Sequence, residues 1–352
     1  MCDPPKAPAA QATTGSFPRY ASFSSAGTTG FAFAGVLDAL EDALPHTHGM
    51  TYDQWRDSLL GVAGTSAGAI VALVIALGLG RHQRNHLLRH DFSDVRAIVR
   101  CPDVSLLLQR FGMEDGNAFR GLVQTVLQQG GLSANSTLAD LHRLLRIDVV
   151  FLATNLNLQA PVCLRAKTFP DMLVCDAVYA SCCMPFVFAP FTWNGHALCD
   201  GCSTCKLPMV FPEAQTLFVS VEDHAEGTVF ALRNWGDFLH RFVGSSTYAQ
   251  RCDLRDLRAR APWYVGIDRI SPAHDSFDLD PTADALQHFA QCGHHATLDL
   301  LFGRRFYAGL GECIRAIANT LAGTASGGRS VRKHAPYPPD DGSESEGDPG
   351  TV

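Results

Sequence analysis

Three short segments hold residues whose types and spacing could do chemistry. The first is Gly64-Thr65-Ser66-Ala67-Gly68, set between the apolar run 60–63 and an apolar, helix-forming stretch. A serine on a sharp strand-to-helix turn keeps its hydroxyl exposed, and the flanking glycines let neighbouring backbone pass close to it. The helix N-terminus beyond it offers free N–H groups and a partial positive charge to a developing oxyanion. The second segment is Ser25-Ala26-Gly27-Thr28-Thr29-Gly30, again after a strand and before a helix. Such a loop can turn backbone N–H groups towards an anion. Phe31 stands where a Walker loop needs lysine, and the glycine spacing does not suit a dinucleotide loop. An oxyanion hole or an ordinary glycine-containing turn remain as readings. The third is Cys199-Asp200-Gly201-Cys202, where a strand stops. An aspartate there is either a turn former or a placed carboxylate.

The elements that must position these residues follow from the apolar pattern. Residues 20–24, 59–63, 149–153, 162–165, 197–199 and 217–221 read as strands. Residues 31–43, 67–77, 283–290 and 297–321 read as helices, the last interrupted near Gly309. Strand and helix alternate, which predicts an α/β layered fold with a sheet between helices. The stretch 67–77 is apolar on every face, so it must be buried on most sides. No internal repeat or linker divides residues 16–321, so one domain is expected there. Residues 1–15 and 322–352 lack the apolar content that offsets ordering entropy, and they are expected to be disordered.

The 352 residues are 46% hydrophobic and 18% charged, enough to bury a large core. Lys+Arg 28 against Asp+Glu 35 leaves a formal charge of −7, which excludes a bulk electrostatic grip on nucleic acid. No apolar run reaches the roughly 18 residues of a membrane-spanning helix. The first residues lack a charged-then-apolar leader pattern, so a cytoplasmic location with reduced thiols is expected. Cys199, Cys202 and Cys205 have metal-like spacing but no fourth ligand to match. They read as structural or redox-sensitive thiols, and neither metal nor cofactor is expected.

Taken together, four blocks in order resemble the patatin-like phospholipases. Phe23–Gly30 followed by Gly35-Val36-Leu37 resembles their glycine-rich loop and helix. Gly64–Gly68 resembles their nucleophile elbow. Ala177-Val-Tyr-Ala-Ser-Cys-Cys-Met-Pro185, with Phe188 and Pro190, resembles the block ahead of their aspartate. Asp200-Gly201, with Pro208 downstream, resembles their Asp-Gly motif; Thr154 and the helix at Gly293–Ala296 also fit. The chain departs from the pattern at Ser25 and Ala26, which replace glycines, at Thr29, which replaces a basic residue, and at Cys202. Ser and Ala carry a steric penalty at positive φ, so a change of loop shape is expected.

The resemblance implies a central mixed sheet flanked by helices and acyl-ester hydrolysis by a Ser–Asp dyad without histidine. On this chain Ser66 becomes the nucleophile, Asp200 the base, and the backbone of Ala26, Gly27 and Thr28 the oxyanion hole. It also implies a phospholipid or other acyl-lipid substrate, met at a membrane surface by peripheral contact. The apolar run Phe186–Phe191 with Trp193 reads as a core strand or as that contact. Two alternatives stay open. A histidine-dependent α/β-hydrolase would draw on His288, His294 or His295, and a degraded member would keep the fold as an interaction protein.

Overall fold

Strands covered on both faces read as unbroken apolar runs rather than alternating ones, and such runs form the parallel core of one sheet. The computed structural model describes residues 16–88, 104–222, 245, 248–268, 270 and 281–303. The chain divides into a unit ending at Arg304 and a unit of residues 305–352, the latter wholly outside the described residues. The two expected tails and the later part of the helix expected over 297–321 also lie outside them.

In chain order the strands are β1 (Tyr20–Phe23), β2 (Gly61–Thr65), β3 (Gly112–Glu114), β4 (Asp148–Asn155), β5 (Ala160–Leu164), β6 (Phe186–Phe188), β7 (Phe191–Trp193), β8 (His196–Asp200), β9 (Thr216–Val221) and β10 (Tyr264–Ile267). The helices are α1 (Ala32–Thr47), α2 (Tyr52–Ser58), α3 (Ala67–Ala76), α4 (Arg81–His86), α5 (Val104–Arg110), α6 (Asn117–Gln129), α7 (Leu138–Leu145), α8 (Val174–Cys182), α9 (Tyr248–Arg260) and α10 (Ala283–Phe302). Strands β10, β9, β1, β2 and β4 lie side by side in parallel. Beyond them β5 and β8 pair antiparallel with β4, and β7 with β8. The result is a mixed α/β fold with a central sheet flanked by helices.

Register decides where chemistry can gather. β5 runs along Phe151–Asn155 on one edge of β4. On the other edge, β2 ends with Thr65 opposite Leu152, and β8 ends with Asp200 opposite Ala153. The two strands therefore meet C-terminus to C-terminus along a single edge of β4, which brings Ser66 and Asp200 together from opposite directions.

α3 packs against β1, β2 and β4, and α8 against β4 and β8. α3 is buried along most of its length, as its all-round apolar sequence requires. α1 and α10 approach until their backbones touch: a Cβ at Gly35 would lie 1.7 Å from the Ala290 carbonyl oxygen. One at Gly293 would lie 1.9 Å from that of Ala32. Only glycine permits that spacing. Among the described residues no helix is long and apolar enough to cross a membrane.

Candidate active site

Ser66 sits between β2 and α3 with φ 55° and ψ −121°. That conformation costs a non-glycine residue on the order of 1–3 kcal/mol and persists only where surroundings impose it. The glycines of the elbow supply part of the imposition. A Cβ on Gly64 would lie 2.0 Å from the Gly68 carbonyl oxygen, and one on Gly68 would lie 2.4 Å from that of Phe23. The turn is thereby pressed against the end of β1. The Ser66 carbonyl accepts from Ala69 N at 2.8 Å, so the serine caps α3. The first N–H groups of that helix, at Ala67 and Gly68, have no intrahelical acceptors.

The Ser66 hydroxyl donates to Asp200 Oδ2 at 2.7 Å. Asp200 is wholly buried, and Ser66 beside it retains 7% exposure. The second carboxylate oxygen, Oδ1, accepts from the Cys202 N–H at 2.8 Å. Burial pushes the Asp200 carboxyl above its ordinary value, opposed by the bonds from Cys202 and Ser66. A carboxylate so raised is a better proton acceptor than a solvated one. Its backbone is fixed as well: Asp200 N donates to the Cys183 carbonyl, and the Thr154 hydroxyl donates to the Asp200 carbonyl at 2.9 Å. Gly201 is required because a Cβ there would lie 2.2 Å from the Leu152 carbonyl oxygen.

The loop after β1 forms a 3-10 turn over Gly27–Phe31 that packs on the start of α3, where a Cβ on Gly30 would lie 2.6 Å from Ala67 Cβ. The change of shape expected from Ser25 and Ala26 does not arise through positive φ, because neither residue takes it; Ala26 has φ −153°. Gly27 alone occupies the left-handed region, at φ 53°, and it is still a glycine. The N–H of Ser25 is spent on the Lys206 carbonyl. Those of Ala26 and Gly27 have no acceptor among the described residues. Thr29, in the place of the family's basic residue, donates its hydroxyl to the Ala26 carbonyl at 2.6 Å and ties the loop shut.

No histidine bonds to Ser66 or Asp200 among the described residues. On α10, His294 pairs with Asp42 at 3.7 Å and meets the His295 ring edge-on, while His288 lies 3.6 Å from the Cys292 sulfur. Cys199, Cys202 and Cys205 do not converge as a metal set, and no group of three His, Cys, Asp or Glu side chains does so among the described residues. Burial pushes the Cys199 thiol up to about 12 and the Cys205 thiol up to about 11, and raises Cys202 well above its ordinary value. These are poor nucleophiles at neutral pH. Phe191 and Trp193 pack partly buried against the core, and Phe186 is 37% exposed.

Two contacts escape sequence reasoning. The Ser66 N–H donates to Ser181 Oγ at 3.1 Å, and the Cys182 thiol donates to the Ser66 carbonyl at 3.2 Å. Both residues lie in the block ahead of the aspartate, so the pattern marks the segment without saying what it touches.

A serine hydroxyl bonded to a buried carboxylate, beside a loop and a helix start with spare N–H groups, can open an acyl ester. The family model for patatin-like phospholipases matches residues 21–208, and the chain belongs to that family. An uncharacterized protein of Acanthamoeba polyphaga mimivirus is 23% identical over 61% of this chain and 66% of its own length. Among solved structures, VipD from Legionella pneumophila superposes with a TM-score of 0.47 at 17% identity, over 80% of this chain and 66% of that one. ExoU in the ExoU–SpcU complex of Pseudomonas aeruginosa gives 0.41 at 16%, over 82% and 52%. The chain thus spans about half to two thirds of these proteins.

Proposed function

We propose that this chain is a serine lipid acyl hydrolase working through Ser66 and Asp200. The observation that carries the reading is the 2.7 Å bond between the hydroxyl of a serine on a strained turn and a fully buried carboxylate. Asp200 takes the Ser66 proton as Oγ bonds to the acyl carbonyl carbon. The carbonyl π pair moves onto oxygen, and the N–H groups of Ala26, Gly27, Thr28 and the α3 start are the donors for that oxyanion. Collapse expels the alcohol, which leaves with the proton from Asp200. Water, deprotonated by the same carboxylate, then opens the acyl-enzyme. No step has a task for a cation, so calcium independence is part of the reading.

The substrate class, an acyl ester of a phospholipid or lysophospholipid, comes from family membership, and so does peripheral membrane contact; a cytoplasmic location is part of the same proposal. Residues 16–321 are taken as one hydrolase domain. The test is labelling by a fluorophosphonate probe and release of fatty acid from phospholipid vesicles with chelator present, each compared with Ser66→Ala. Labelling and hydrolysis that both vanish in the variant support the proposal. A wild type inert to the probe and to vesicles refutes it and favours an interaction protein that keeps the fold.

A further inference from the structure

The nucleophile's backbone is held by an element that supplies neither the nucleophile nor the base. Three consecutive residues at the end of α8 do the holding. Ser181 Oγ accepts from the Ser66 N–H at 3.1 Å and donates to the Leu152 carbonyl at 2.6 Å. The Cys182 thiol donates to the Ser66 carbonyl at 3.2 Å. The Cys183 carbonyl accepts from Asp200 N at 3.0 Å. One turn of chain therefore grips both polar groups of the Ser66 backbone and the amide of Asp200.

We infer that Ser181 is a positioning residue that sets the strained backbone of Ser66, and that residues 181–183 act as a brace keeping nucleophile and base in register. The inference rests on the reading of Ser66 and Asp200 given above. The reasoning is geometric. β2 and β8 meet end to end on one edge of β4, so no ladder hydrogen bond joins Ser66 to Asp200 directly. The Ser66 N–H has no other acceptor among the described residues, and at φ 55° it lies outside both the β2 ladder and the α3 ladder. Ser181 is wholly buried, so water cannot take over from its hydroxyl. Through its second bond, to Leu152, Ser181 ties the elbow to the β4 position opposite Thr65. The Cys182 thiol is pushed up by burial and by the Asp200 charge, so it stays protonated and able to donate. Its contribution is the smaller one, because the Ser66 carbonyl also accepts from Ala69 N.

Ser181→Ala removes the acceptor of one buried donor and the donor of one buried acceptor, which frees the elbow to relax from its strained conformation. The expected result is a kcat lower by about 10-fold to 100-fold with KM changed less than about twofold. Thr216→Ala serves as the control: this buried residue's hydroxyl donates a part-buried bond to the Pro212 carbonyl at the far end of β9. The measurements are the fluorophosphonate rate constant per titrated site and hydrogen exchange of the segment 61–68. Slower labelling per site together with faster exchange at Ser66, in Ser181→Ala and not in Thr216→Ala, supports the brace. Faster exchange with an unchanged rate per site overturns the positioning role, as does exchange that is unaltered. A wild type inert to the probe whose Ser66 amide still loosens in Ser181→Ala refutes the hydrolase reading but supports the brace.

Discussion

Replacing Asp200 by Asn separates what the carboxylate does for chemistry from what it does for stability. The exchange keeps size and shape and keeps an oxygen for the Cys202 N–H, which lies 2.8 Å from Oδ1. It turns the group facing the Ser66 hydroxyl from acceptor to donor and removes the base. General-base catalysis is worth about 10²–10⁴-fold, so turnover of a phospholipid ester should fall by about that range, or about 3–5 kcal/mol of barrier. Stability should move little at neutral pH. Desolvation of the buried carboxylate, a cost of several kcal/mol, disappears; two charge-assisted bonds worth about 1.5–3 kcal/mol each weaken. The pH dependence carries a sign that can be checked. The folded-state pKa of Asp200 is raised, so protonation stabilises the wild type. That contribution is full below the ordinary aspartate pKa and is lost as pH rises through the raised folded value. The Tm of Asp200→Asn relative to wild type should therefore climb across that window and level off above it. The acid limb of wild-type kcat/KM should fall at a pH above the ordinary aspartate value. Fatty-acid release from vesicles and thermal unfolding at matched pH read both effects. Turnover within tenfold of wild type in a folded variant would refute the dyad, and a relative Tm that falls with pH would refute the account of Asp200's burial.

Ser66→Ala should abolish fluorophosphonate labelling and lower turnover by about 10⁴-fold or more, whereas replacing His294 and His295 should leave turnover within a few-fold; a large loss in a stable histidine variant would restore the triad. Gly27→Ala should lower kcat and stability, since Ala at φ 53° carries about 1–2 kcal/mol of strain. Ser25→Gly with Ala26→Gly should preserve activity, and a folded but inactive double variant would mean the loop has another role. Vesicle hydrolysis should persist in excess chelator; activity lost on chelation and regained with calcium would overturn the cation-free mechanism. Metal analysis of protein purified under reducing conditions should find no stoichiometric zinc or iron on the Cys199, Cys202 and Cys205 run.

What the sequence makes legible is whatever the physics forces into local pattern. β2 and β4 are buried on both faces, so their runs are unbroken and their place in the sheet is readable. Gly64 and Gly68 are readable because close backbone approach admits no other residue. Gly35 and Gly293 are readable only as family positions; that they meet across the α1–α10 contact is a long-range fact. The steric penalty assigned to Ser25 and Ala26 fails for a related reason, since a residue type does not reveal its own φ. Helices α6 and α7 go unread: their polar faces break the apolar runs, and α6 has no side-chain cap to mark its start. β3, β6 and β7 span three residues each, too short for periodicity to register.

The site's least readable feature is also the one that makes it. Ser66 and Asp200 lie 134 positions apart, and no local signal says that they touch. Their meeting depends on the register of β4, whose edge is handed from β2 to β8 between Leu152 and Ala153. A slip of one residue in either pairing would turn Asp200 or Thr65 to the opposite face of the sheet. Register of that kind is fixed by burial on both faces and by hydrogen bonds beyond the backbone ladder. Thr154 to the Asp200 carbonyl, Cys183 to the Asp200 amide and Ser181 to both Leu152 and Ser66 are those bonds. The segment ahead of the aspartate is thus constrained by the backbone groups it must satisfy, which explains how a helix end that holds neither nucleophile nor base can carry a pattern as specific as theirs.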